Sequence, residues 1–312
     1  QQVQARQQGE PVLQPEGPFA VDAQRQLCLQ VMQWLGFDFQ GGRLDVSTHP
    51  FAGGVPEDVR LTTRYEPGEF ITSLLGAIHE TGHGRYEQGR PRAWLGQPVS
   101  LARSMAIHES QSLAFEMQLG RHPGFIARLA PMIGQAFGDQ PAFAPDNLLR
   151  LVTRVRPGLI RVDADEVTYN LHILMRFDLE RALFEGRLAV SDLPGEWNRL
   201  SQELLGITPA NDAQGVLQDI HWSGGAFGYF PSYALGNMVA AQLWYSALSH
   251  LPDLLGDFER GEFSRLLTWL RENIHRRGKR LETRELVAAV TGSPLGASAL
   301  MRHLCERYLV GV

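Results

Sequence analysis

From Glu69 to the C-terminus, apolar residues recur at three- and four-residue spacing, whereas two earlier stretches alternate at a spacing of two. The first period buries one face of a helix and the second buries one face of a strand. Helical spacing also covers residues 21–35, with Gly36 placed to end the run. Arg43-Leu44-Asp45-Val46-Ser47 and Asp58-Val59-Arg60-Leu61-Thr62-Thr63-Arg64-Tyr65 carry the alternation. They predict two strands of a small antiparallel sheet, with His49-Pro50-Phe51 and Gly53-Gly54 in the loop between them. Further helices are predicted over residues 69–88, 100–119, 125–137, 146–154, 163–184, 192–205, 233–249, 262–273, 282–290 and 297–308. The expected architecture is a mainly helical single domain over residues 21–312, its sheet lying beside the helix of residues 69–88. Residues 1–20 are too polar to fold alone and read as a tail or linker.

The helix of residues 69–88 holds the most specific chemical pattern in the chain, His79-Glu80-Thr81-Gly82-His83. On a helix the two histidines share one face, so both imidazoles reach a single metal ion. Glu80 then points beside the metal, where a general base takes a proton from metal-activated water. Ile71, Leu74, Leu75 and Ile78 form the buried stripe leading to the histidines, and Pro67-Gly68-Glu69 and Gly89-Arg90-Pro91 bound the helix. Gly82 and Gly84 cost roughly 1 kcal/mol each in helicity relative to Ala, which suits a close backbone approach beside the site. Two histidines leave a catalytic zinc site one protein ligand short. Ser104-Met105-Ala106-Ile107-His108-Glu109-Ser110-Gln111 offers candidates on the next helix: Glu109 first, His108 second, with Glu116 also competing. His108 has an ordinary alternative as a packed residue on the face of Leu101, Met105, Ser112 and Phe115.

Composition narrows the partners. A chain of 312 residues that is 44% hydrophobic supports one large domain or two small ones. A net charge of -5 without a dominant basic block argues against nucleic acid, and the locally basic run of residues 271–284 reads as a solvated helix end and turn. Cys28 and Cys305 form no C-x-x-C, which excludes a cysteine-based zinc site. No apolar run is long enough to span a bilayer and no signal-peptide pattern is present, so no membrane partner is expected and the default compartment is the cytosol.

Four more segments accompany the H-E-x-x-H in a fixed order. They are His49-Pro50-Phe51, His108-Glu109-Ser110-Gln111, Ile160-Arg161-Val162-Asp163-Ala164-Asp165 and Gly215-Val216-Leu217-Gln218-Asp219-Ile220-His221-Trp222. Together the five match HPF, HExxH, HES-Q, IRxxAD and GxxQDxHW signatures. From about residue 20 onward the chain thus resembles the M32 metallocarboxypeptidases, the carboxypeptidase Taq family. The resemblance implies a zincin-like helical metallopeptidase fold with His79, His83 and Glu109 as metal ligands and Glu80 as catalytic base. It implies zinc as the metal, although cobalt or manganese also suit two histidines and a glutamate. Peptide substrates, release of single C-terminal residues and a homodimer follow from the same resemblance.

A carboxypeptidase needs a cation for the terminal carboxylate of its substrate, and the planar fork of arginine suits that role. Arg161, at the expected start of the helix of residues 163–184, is the candidate that the IRxxAD-like segment points to. Its ordinary alternative is an ion pair with Asp165, one helical turn on. The polar, glycine-rich stretch of residues 215–233 brings His221, Tyr229 and Tyr233 toward substrate, with His221 or Tyr229 as an oxyanion donor. Gln218 and Asp219 are candidate supports behind them, Trp222, Phe227 and Phe230 read as core, and His49 joins the substrate set through the HPF signature. The same metal core would serve an endopeptidase or aminopeptidase, and a silent interaction module that keeps its ligands is the rival outside catalysis. Family members carry a long helical region before the segment equivalent to Val21, whereas this chain has only the polar tract there and does not begin with Met. The expectation is a shortened form with a more open groove, weakly active or inactive.

Overall fold

The computed structural model describes residues 1–47 and 51–309. In chain order its elements are α1 (Gln2–Gln7), α2 (Val21–Trp34), β1 (Gly42–Val46), β2 (Ala52–Val55), β3 (Asp58–Thr63), α3 (Ile71–Gly89), α4 (Met105–Leu113), α5 (Pro123–Phe137), α6 (Pro145–Val152), α7 (Tyr169–Phe184), α8 (Leu193–Leu205), α9 (Pro231–His250), α10 (Leu254–Arg260), α11 (Ser264–Asn273), α12 (Thr283–Thr291) and α13 (Ser298–Tyr308). The helical periodicity is realised almost throughout, and among the described residues no helix is long and apolar enough to cross a membrane. Contacts divide the chain into two compact units.

The larger unit comprises Pro11–Val152 and Gly236–His303. Its core gathers Leu27, Val31 and Met32 of α2, Leu74, Ala77 and Ile78 of α3, Phe125, Ile126 and Leu129 of α5, and Val239, Leu243 and Ala247 of α9. The sheet lies against α3 as expected, but its pairing is mixed rather than antiparallel. The strand order is β1-β3-β2, with β1 parallel and β2 antiparallel to β3. The segment read as a loop is itself the strand β2, which forms a hairpin with β3 and occupies one of its edges, so β1 pairs along the other edge. Val59 and Leu61 of β3 point into the core, while Asp58 and Arg60 face solvent and pair with each other.

The helix predicted over residues 100–119 divides in two. Helix α4 is followed by a π-helical turn, Ala114–Leu119, in which the Gly120 N–H reaches back five residues to the Phe115 carbonyl. Helices α3 and α4 pack closely at Gly82. A Cβ there would lie 2.4 Å from the Gln111 carbonyl oxygen and 2.6 Å from the Ser112 Cα. The backbone approach expected at this glycine is therefore a contact with the helix that carries Glu109.

The smaller unit comprises Gln1–Glu10, Thr153–Leu235 and the chain from Leu304. Met175 and Leu179 of α7 pack with Leu193, Trp197 and Leu200 of α8, and Tyr169, Ile173 and Phe230 form a second cluster. The N-terminal tract is tied down rather than free. Val3 is buried with Val155 and Tyr308, Gln7 donates to the Thr153 carbonyl, and Arg154 donates to the carbonyls of Gln7 and Glu10. In the larger unit, Asn147 bonds both backbone groups of Leu13, and Phe19 enters the core. The tract has too few apolar residues to fold alone, but its backbone polar groups find partners in later segments.

Gly82→Ala should destabilise the larger unit by about 1–3 kcal/mol, because the added methyl meets backbone atoms that cannot move aside. Gly76→Ala on the same helix meets only the Thr63 hydroxyl at 3.9 Å, and should stabilise by up to about 1 kcal/mol through helix propensity. Denaturant unfolding of the two variants checks the contrast.

Candidate metal centre

Helix α3 starts where Glu69 accepts from the Ile71 and Thr72 N–H groups, which have no partner within the helix. Burial of Leu74, Ala77 and Ile78 fixes the rotation of the helix and sets His79 and His83 on successive turns facing α4. Helix α4 starts at Ser104, whose hydroxyl accepts from the Ile107 N–H. Glu109 follows, and Gly236 of α9 lies over its stem, where a Cβ would come within 2.7 Å of the Glu109 Cγ.

The structure brings His79, His83 and Glu109 together, with one donor atom from each lying within 4.8 Å of the others. Two imidazoles and a carboxylate at this spacing fit a divalent cation with coordination positions to spare. His83 Nε2 stands 3.5 Å from Glu109 Oε2. His79 Nδ1 is turned away and lies 2.8 Å from Glu116 Oε2, whose second oxygen accepts from Arg121 at 3.1 Å. Glu116 therefore stands behind His79 and not among the three donors. His108 also stands behind, with its Nδ1 2.6 Å from His83 Nδ1 and its Nε2 2.8 Å from Glu87 Oε1. Glu80 is buried beside the cluster, and its Oε2 makes no hydrogen bond to protein.

Burial and crowding pull these groups in opposite directions. For the side chains by themselves, burial opposes charge on His79, but Glu116, Glu109 and Glu80 outweigh it and raise its pKa to about 9. Burial lowers His83 to about 4, helped by repulsion from His79. Burial raises Glu80 to about 7, with Glu109 and Glu116 adding to the shift and His79 opposing it. Glu109 and Glu116 remain below the usual carboxylate range. Burial works against them, but His83 and His79 hold Glu109 down, and Arg121 and His79 hold Glu116 down. A carboxylate that titrates near neutrality can both take up and release a proton at working pH.

The remaining candidates lie in the smaller unit, except His49, which falls outside the described residues. Arg161 is not at the start of α7 but in a short 3₁₀ turn, Arg161–Asp163, ahead of it. Its ion pair with Asp165 does not form. Asp165 accepts from the Val167 and Thr168 N–H groups, and so turns the chain into α7. Arg161 pairs instead with Asp219 at 2.9 Å, its own N–H donates to Gln218 Oε1, and its guanidinium lies 4.7 Å from the Tyr233 ring centre. Asp219 also binds Arg176, whose side chain is 0% exposed and stacks on Trp197. Two guanidiniums thus share one carboxylate. His221 stacks on Phe230 at 4.4 Å, and its Nε2 lies 3.1 Å from the Tyr233 hydroxyl. Tyr229 packs its ring against both His221 and Tyr233. Arg176, Glu87 and Arg121 went unnoticed in the sequence, although Glu87 follows His83 by one helical turn.

Adjacent helices that converge two H-E-x-x-H imidazoles and a carboxylate, with a second glutamate beside them, define a helical protein of the metallopeptidase class. The chain belongs to the Carboxypeptidase Taq (M32) metallopeptidase family, whose model matches residues 1–308. It is 45% identical over 292 residues to Carboxypeptidase 1 of Bacillus subtilis, covering 93% of this chain and 58% of that protein. It is 44% identical to Thermostable carboxypeptidase 1 of Thermus thermophilus, again covering 93% of this chain and 57% of the relative. Among solved structures it resembles Trypanosoma cruzi metallocarboxypeptidase 1, with 48% identity and a TM-score of 0.96, covering 98% of this chain and 65% of that one. An M32 carboxypeptidase from Deinococcus radiodurans matches with 37% identity and a TM-score of 0.93, covering 98% and 63%. The chain therefore spans 57–65% of the length of these relatives.

The smaller unit supplies a pH prediction. His172 is fully buried, and burial, with Arg176 and Arg161 adding repulsion, lowers its pKa to about 4. The unfolded chain binds a proton there near pH 6.5, so acid favours unfolding. This contribution to stability is complete above about pH 6.5 and drains away as the pH falls toward 4, by up to about 3 kcal/mol. His172→Phe should flatten that part of a stability–pH profile measured by denaturant unfolding.

Proposed function

We propose that this chain carries the active site of a zinc-dependent carboxypeptidase that releases single residues from peptide C-termini. The observation that carries the reading is the convergence of His79, His83 and Glu109 beside the buried Glu80, in a chain that belongs to the M32 family. His79, His83 and Glu109 would hold the metal, which supplies a Lewis acid that polarises the scissile carbonyl and acidifies water. Glu80 takes the proton from the attacking water on its Oε2, which has no protein partner, and hands it to the leaving amine. Glu116 fixes the orientation of the His79 ring through its Nδ1.

Arg161 is assigned the terminal carboxylate of the substrate. Burial works against its charge, yet Tyr169, Asp219 and Tyr233 hold its pKa above the ordinary arginine value, so the guanidinium stays cationic. Asp219 and Gln218 hold it in place, and the second cation, Arg176, leaves the group with more positive than negative charge. His221, Tyr229, Tyr233 and, through the family signature, His49 are assigned to peptide contacts. The choice of zinc over cobalt or manganese, the homodimer and a cytosolic setting come from the family resemblance and the two free cysteines.

Glu109→Ala should lose bound zinc by elemental analysis. Glu80→Gln should keep zinc and lose about 10²- to 10⁴-fold in kcat on free-acid peptides. Retention of zinc by Glu109→Ala at the parent level would remove Glu109 from the ligand set. Arg161→Ala should lower kcat/KM on free-acid peptides by about 10²- to 10³-fold, the cost of removing one side of a buried charge-assisted pair. A C-terminally amidated peptide should resist the parent protein, and cleavage of it would point to an endopeptidase instead.

A further inference from the structure

The two histidines of the H-E-x-x-H pattern are backed in different ways. Behind His79 stands a carboxylate, Glu116. Behind His83 stands a second imidazole, with the two Nδ1 atoms facing each other at 2.6 Å. Two ring nitrogens at that distance share one proton, so one donates and the other accepts. A cation on the Nε2 side of His83, where Glu109 lies 3.5 Å away, requires a bare Nε2 and therefore a proton on Nδ1. His108 must then accept at its own Nδ1 and carry its proton on Nε2. That proton has a receiver, because Glu87 Oε1 lies 2.8 Å from His108 Nε2 and the other Glu87 oxygen is engaged by Arg90.

Every polarity in this chain follows from the one before it, and solvent is poorly placed to replace any member. The side chains of His83, His108 and Glu87 are 12%, 15% and 11% exposed. The Tyr86 ring walls His108 at 5.1 Å, and its hydroxyl is held by the Arg103 N–H. We propose that His108 and Glu87 are positioning residues that lock His83 in its Nδ1–H tautomer and so set how tightly the site holds its cation. The inference rests on the reading of His79, His83 and Glu109 as metal ligands. It gives His108 a task that is neither that of a ligand nor that of a packed core residue.

The test uses substitutions at the two positions in the 312-residue chain. Zinc affinity is measured by chelator competition, and thermal unfolding of the metal-free proteins serves as the folding control. An Asn carbonyl at position 108 can accept where the His Nδ1 did, while Leu fills the space without an acceptor. His108→Leu should bind zinc about 10- to 100-fold more weakly, and His108→Asn should stay within about threefold of the parent. In Glu87→Gln, Arg90 claims the single amide oxygen and the amide N–H turns toward His108, reversing the chain. Affinity should fall in the His108 background and stay unchanged in the His108→Asn background. Equal affinity of the parent and His108→Leu, or equal loss in the Asn and Leu variants, would overturn the proposal. A neutral Glu87→Gln in the His108 background would remove Glu87 from it. Should the Leu variant not fold, the cobalt-loaded parent decides by proton NMR. Two slowly exchanging, shifted imidazole N–H signals are expected from His79 and His83, and a single one refutes the His83 tautomer. A parent chain that takes up neither zinc nor cobalt would defeat the ligand reading itself and this proposal with it, a result distinct from all the others.

Discussion

The approach of α3 to α4 at Gly82 is the contact on which the rest of the site depends. Here the donors on two separate helices come within a single ion's reach at a crossing where the helix backbones nearly touch, and most side chains at position 82 would hold them apart. Gly82 has the Gln111 carbonyl and the Ser112 Cα against it, and Gly236 gives Glu109 the same freedom from the opposite side. The burial of Leu74, Ala77 and Ile78 then sets the rotation of α3, so that its polar residues meet α4 at this crossing. Core packing and ligand geometry are thus two results of one helix placement.

That closeness brings charged groups into an interior that would ordinarily exclude them. Glu80, Glu109, Glu116 and Glu87 surround His79, His83 and His108, and a buried charge is tolerated only with partners at hand. Arg121 answers Glu116, and Arg90 answers Glu87, each on the side away from the histidines. Glu80 keeps a buried oxygen, Oε2, without a protein partner. The smaller unit repeats the arrangement in the opposite sign, with Asp219 between Arg161 and Arg176.

Much of this could be read before any coordinates, for physical reasons that differ by residue. The H-E-x-x-H pattern is local, and a helix carries His79 and His83 to the same face without help from the fold. The choice among Glu109, His108 and Glu116 is not local. All three sit on one helical segment, and only the crossing at Gly82 sorts a donor from the two residues standing behind donors. Strand β2 escaped notice because Gly53 and Gly54 have no side chains to alternate, so the sheet was read with the wrong pairing. Arg161 is expected at the start of the helix of residues 163–184, but α7 begins only at Tyr169. Asp165 in fact spends its carboxylate on the N–H groups that open α7. The partners of Gln7 and Leu13 in the N-terminal tract lie more than a hundred positions away, beyond the reach of any local pattern.

The π-helical turn of residues 114–119 carries a consequence for how this site tolerates change. Such a turn holds one residue more than an α-helical path over the same rise, and it falls between Glu109 and Arg121, with Glu116 inside it. Losing one residue from the turn would let the chain close to an α-helical path over the same rise, so the positions after it, Arg121 among them, would keep their phase relative to Glu109. Glu116, inside the turn, would be re-aimed, although it had not been substituted. Losing one residue from the regular helix between Glu109 and the turn meets no such slack and would rotate both Glu116 and Arg121 by about 100° relative to Glu109. Where a deletion falls on this segment therefore matters as much as which side chain it removes.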